Sequence, residues 1–151
     1  MAPTVEVIEA TKALEPVLGR LLQLYIHDFS EFIDADVDAD GLFAYSRFDL
    51  YWTEAGRHPF LFRVGGRWAG FALVRAGAPH DMAEFFVMRK YRRGGVGQAA
   101  AREVFARFPG PWQVRQEPTN PAATRFWHTA IPVAFEEDTT ESGPVQRFSM
   151  P

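Results

Sequence analysis

A strand-like run, Met82-Ala-Glu-Phe-Phe-Val-Met88, passes into a helix-like run, Gln98 to Arg107, through a loop with three glycines and two arginines, Tyr91 to Gly97. Nothing else in the chain narrows its fold as much. Strand, Gly-rich turn and helix make an α/β unit, because glycines let the backbone turn tightly and leave amides exposed at the helix N-terminus. Arg92 and Arg93 add charge-assisted donors beside those amides. Physics alone points to a phosphorylated ligand here.

The remaining elements read outward from that unit. Residues 4–9 alternate as a strand. Leu14, Val17, Leu18, Leu21, Leu22, Tyr25, Phe29 and Phe32 form one helical stripe, with Pro16 in its first turn. The acidic stretch Asp34 to Gly41 ends that helix as a loop, and Leu50 to Ala55 predicts a short second one. His58 to Val64 and Arg67 to Arg75 make a hairpin around Gly65-Gly66. Trp112 to Gln116 is a strand, and Asn120 caps a helix from Pro121 to about Ala130. Ile131 to Phe135 and Val145 to Met150 predict a terminal hairpin. The order β, α, (α), β, β, β, α, β, α, β, β is an α/β sandwich in one domain, residues 1–151.

Composition excludes several function classes. At 151 residues and 47% hydrophobic, the chain has room for one core and too much apolar content for disorder. A net charge of -3 argues against sequence-independent nucleic-acid binding. No run nears the roughly 20 apolar residues of a membrane span, and MAPTVEVIEA lacks the regions of a secretory signal. The expectation is a cytoplasmic protein with no membrane or nucleic-acid partner. Without cysteine there is no disulfide, thiolate metal site or thiol nucleophile.

The glycine loop admits three readings. A P-loop needs Lys and then Ser or Thr, where this chain has Gln98-Ala99. A dinucleotide fingerprint fits Gly95-x-Gly97-x-x-Ala100, with Glu117 about 20 residues on. However, the turn from Met88 to Gly94 is long, and the 34 residues after Glu117 (151 − 117) are too few for a doubly wound sheet. Third, Arg92-x-x-Gly95-x-Gly97 resembles the Q/R-x-x-G-x-G/A motif of the GCN5-related N-acetyltransferase superfamily. Asn120-x-x-Ala123-x-x-Phe126-Trp127 is similar to that superfamily's N-x-x-A-x-x-(L/F)-Y pattern.

The resemblance implies a mixed, mostly antiparallel sheet of six or seven strands flanked by about four helices, with acetyl-CoA as co-substrate. Phe86, Val87 and Met88 would run beside the pantetheine arm. Arg92, Arg93, Gly94, Gly95, Val96, Gly97 and Gln98 would hold the pyrophosphate. Asn120, Phe126 and Trp127 would complete the cofactor site.

An alkylammonium of pKa about 10.4 is nucleophilic in only about one molecule per thousand at pH 7, so acetyl transfer benefits from a base. Glu84 is the candidate; it reads equally well as a solvated strand residue. A backbone N–H near Val87 or Met88 would meet the oxyanion of the tetrahedral intermediate. Trp127 stands where the family often has a tyrosine to protonate the thiolate, and Ile131-Pro132 replaces the usual Gly-Phe after that helix.

The acceptor is expected to be a primary amine of a small molecule or peptide, contacted by Tyr25, Asp28 and Glu31. Six carboxylates between Asp28 and Asp40 would favour a cation, although a solvated loop explains them too. Asp36-x-Asp-x-Asp-Gly41 opens like a calcium loop, but Arg47 takes the place of the bidentate glutamate, so no metal is expected. The four histidines have no metal-ligand spacing. A monomer or homodimer is compatible with the sequence. The rival to an enzyme is a non-catalytic acyl-CoA-binding or sensor module on the same fold.

Overall fold

The computed structural model describes residues 4–151. Its elements are β1 (Glu6–Glu9), α1 (Glu15–Phe29), α2 (Leu50–Thr53), β2 (Arg57–Val64), β3 (Arg67–Arg75), β4 (His80–Val87), α3 (Val96–Ala106), β5 (Gly110–Arg115), α4 (Pro121–Ala130), β6 (Glu136–Thr140) and β7 (Gly143–Met150). The seven strands form one sheet in the order β1-β2-β3-β4-β5-β7-β6. Every pairing is antiparallel except β4 with β5. This is the mixed α/β sheet with four α-helices that the motifs implied.

The central strands β2 and β3 are apolar on both faces, so they lie between two cores. On one side Leu61, Phe71 and Leu73 meet Leu18, Leu22 and Ile26 of α1. On the other, Phe60, Phe62 and Val74 meet Val104 and Phe105 of α3 and Trp127 of α4. Fully burying such side chains stabilises the fold by about 1.5–3 kcal/mol each.

Several boundaries differ from the sequence reading, and three have a visible physical reason. α1 stops at Phe29, where the Ser30 hydroxyl donates to the His27 carbonyl, so Phe32 lies beyond the helix. α3 begins at Val96, two residues early, because left-handed Gly95 is its cap. The terminal hairpin also moves: β6 is the exposed run Glu136–Thr140, not Ile131 to Phe135. Ile131 is instead buried beside Ala130, with Val133 and Phe135 packed on the same core. An edge strand has one pairing side and tolerates polar residues on both faces. The apolar run gains more under α4.

Two features of β4 open the sheet at one place. β4 and β5 pair only where His80 and Asp81 face Trp112 and Gln113, and beyond that point the two strands separate. Just past the separation, the register with β3 slips by one residue between Glu84 and Met82, a β-bulge at Ala83. Bulges bend a strand and re-aim its side chains.

Candidate active site

The Met88 amide donates to the Ala69 carbonyl at 2.8 Å, which fixes the phase of the β3–β4 ladder. Val87 and Phe85 lie in the alternate positions, so their amides and carbonyls face the gap toward β5. Val87 thus presents an N–H to a ligand lying in the gap, whereas the Met88 amide is already committed to the sheet. Gly70 makes this close approach possible, because a Cβ there would stand 2.0 Å from the Phe86 carbonyl oxygen.

At the end of the gap lies the glycine loop. Gly95 has φ 84° and caps α3 with no side-chain hydrogen bond. Among the described residues, the amides of Gly94 to Gln98 find no acceptor, the pattern of an anion site at a helix N-terminus. A Cβ on Gly94 would meet open space, whereas one on Gly97 would press the Phe126 ring at 3.0 Å. Gly94 therefore leaves room for a ligand, while Gly97 lets α3 approach α4. Val96 is buried beneath the loop.

The two arginines diverge. Arg92 donates through Nε to the Val87 carbonyl at 2.8 Å and through Nη2 to Asp28 at 2.5 Å, and its guanidinium lies over Phe86. Arg93 is exposed, and its φ of 65° is a left-handed conformation that costs a side-chain-bearing residue about 1–3 kcal/mol. The loop maintains this strain beside the free amides. Phe126 stands over Gly97 and against Phe85, Trp127 is buried against Phe85 and Phe105, and the Asn120 side chain accepts from the Ala123 amide.

Across the sheet, Glu84 projects toward α1. The Tyr25 hydroxyl donates to Glu84 Oε1 at 3.0 Å. Burial pushes the Glu84 carboxyl up to about 7, while hydroxyl donors from Tyr25 and Tyr45 partly oppose the rise and nearby Asp81 adds to it. Tyr25 and Tyr45 are themselves raised, chiefly by burial and then by the Glu84 charge. A carboxyl balanced near neutrality is able to take and return a proton at physiological pH.

Of the three expected acceptor contacts, only Tyr25 meets Glu84. Asp28 is bound by Arg89 and Arg92 at 2.5 Å each. Burial acts to raise its carboxyl, but hydrogen bonds from the two arginines outweigh this and hold it below the usual range. Glu31 is exposed just beyond α1. Asp38 accepts from the amides of Asp40 and Leu42, capping its own loop.

Two contributors escaped the sequence reading. Tyr45, 39 residues upstream (84 − 45) in a loop, lies near enough to Glu84 to act on its protonation, and no local pattern marks it. Thr119 Oγ1, after β5, donates at 3.2 Å to the Phe32 carbonyl, after α1. That bond joins the chain after α1 to the loop after β5, the strand on the far side of the gap.

Comparison with known proteins agrees with this geometry. The acetyltransferase (GNAT) family model matches residues 19–130. No curated protein matches the chain. Among solved structures, a GNAT-family acetyltransferase from Staphylococcus aureus Mu50 is 14% identical, over 98% of this chain and 100% of its own, with a TM-score of 0.68. The aminoglycoside acetyltransferase AAC(6')-Ib, in complex with coenzyme A and kanamycin, is 15% identical over 97% and 95%, with a TM-score of 0.69. The PaiA N-acetyltransferase from Thermoplasma acidophilum, in complex with coenzyme A, is 8% identical over 97% and 99%, also at 0.69. These identities speak for the fold. The family match spans the glycine loop, the separating strands and Glu84, and on that match the chain belongs to the acetyltransferase (GNAT) family.

Proposed function

We propose that the protein transfers the acetyl group of acetyl-CoA to a primary amine of a small molecule or peptide, with Glu84 as general base. Acetyl-CoA supplies an activated thioester. The free amides of Gly94 to Gln98 suit its pyrophosphate, Arg93 adds charge at the same place, and the outward-facing backbone of Val87 suits an extended amide-bearing arm. Arg92 braces the Val87 carbonyl and Asp28 in this reading, and Asn120 caps α4.

Glu84, held by the Tyr25 hydroxyl and titrating near 7, carries the reading. Its carboxylate takes the proton of the incoming ammonium, directly or through water. Buried Trp127 has no ionisable proton to give. A thiol of pKa about 8.5 departs readily as the thiolate, so no acid partner is required.

Calorimetric titration with acetyl-CoA, with NAD as control, tests the cofactor half. Acetyl-CoA is expected to bind and NAD not to. Gly94→Asp, whose side chain has open space, is expected to weaken binding at least tenfold with unchanged thermal stability. Equal binding by the variant would remove the loop from the cofactor site. Release of free CoA with an amine acceptor then separates an enzyme from a protein that only binds.

A further inference from the structure

We infer that the acceptor is a primary amine on an apolar, preferably aromatic, body, held along Phe29 and Phe32 with its nitrogen at Glu84; this rests on the reading of Glu84 as base. A run of rings continues past the α1 core. Tyr25 stacks on Phe29 at 5.5 Å, and Phe29 meets Phe32 at 6.1 Å. Tyr25 belongs to the α1 core through Phe71 and Phe86. Among the described residues, Phe29 and Phe32 pack against neither core, yet both are only half-buried. Aromatic area left beside a site without a packing role favours a ligand that covers it.

The run also has direction. One end is the Tyr25 hydroxyl on Glu84, and the other is the Phe32 carbonyl that accepts from Thr119 after β5. It therefore extends from the proposed base on β4 toward the loop that follows β5. An amine whose nitrogen lies at Glu84 would place its body against these rings, where the ring faces also attract the ammonium itself.

Two of the carboxylates nearby are already engaged. Asp28, the carboxylate one turn from Tyr25, is neutralised by Arg89 and Arg92, and Asp38 is used within its own loop. Glu84 meets the ammonium, with the rings of Phe29 and Phe32 beyond Tyr25.

The test titrates phenethylamine, ethanolamine and spermidine into the CoA-saturated protein by calorimetry, and measures turnover of each with acetyl-CoA. Phenethylamine is expected to bind at least about tenfold tighter than ethanolamine or spermidine. Phe29→Ala and Phe32→Ala are expected to reduce that preference severalfold, with an unaltered Kd for acetyl-CoA as the control for folding. Spermidine binding as tightly as phenethylamine, or a preference untouched by both substitutions, would overturn the inference. Selective phenethylamine binding without turnover would instead sink the general-base reading and leave the aromatic site standing.

Discussion

Glu84→Gln separates catalysis from stability. The substitution keeps the shape and an acceptor for the Tyr25 hydroxyl but removes the ionisable group. In the folded protein the Glu84 carboxyl titrates at about 7, against an ordinary 4.5, because burial disfavours its charge. The folded state therefore holds the proton more tightly than the unfolded chain. The associated stability is fully present below pH 4.5 and is lost as pH rises through about 7. At about 1.4 kcal/mol per pH unit, the loss is about 3 kcal/mol. A neutral amide at this position does not suffer it, so the variant should gain about 3 kcal/mol on wild type between about pH 4.5 and pH 8, about 6–12 °C in Tm for a chain of this size. Activity should move the opposite way. Wild-type kcat/KM is expected to rise through an apparent pKa near 7 as the base ionises, and the variant should lose that limb and about 10²–10⁴-fold in rate. Thermal melts from about pH 4.5 to 8, beside pH–rate profiles, check both. Parallel melting curves for the two proteins would refute the buried-carboxyl argument. An unchanged rate in the variant would refute its role as base.

Other perturbations probe the surroundings of Glu84. Asp28→Asn releases Arg89 and Arg92; calorimetry should show weaker acetyl-CoA binding by a few fold, while steady-state kinetics show little change in acceptor KM. The reverse pattern would make Asp28 an acceptor contact. Arg93→Gly relieves a left-handed φ of 65° and should add about 0.5–1 kcal/mol in urea unfolding, while acetyl-CoA affinity falls severalfold. Gly70→Ala would drive a Cβ into the Phe86 carbonyl, and a loss of about 3 kcal/mol or more in the same assay is expected.

The legible parts of this protein were those that local chemistry enforces. Glycines at Gly94 and Gly95 followed by a helix announce exposed amides wherever the segment lies, and the Asn120–Pro121 start of α4 is written in two residues. The alternating and continuous apolar runs of β2, β3 and β4 gave the sheet its central strands, because burial on one or two faces imposes its own period. Periodicity failed at the edge. β6 is built of Glu, Asp and Thr that need no apolar face, while Ile131 to Phe135 looked like a strand and are used under α4.

The sequence by itself determined that a strand, a glycine turn and a helix would present free amides to an anion, and that Glu84 would lie on the strand leading there. Tertiary structure alone decided that β4 leaves β5 after Asp81, that Tyr25 and Tyr45 converge on Glu84, and that Arg92 binds Asp28 on α1. Those contacts join residues 39 to 64 positions apart (84 − 45; 92 − 28). At such separations no local period or spacing constrains a side chain, and its partner is set by how the layers pack. The protonation of Glu84 depends on that packing too, because burial raises a carboxyl only after the layers have closed over it.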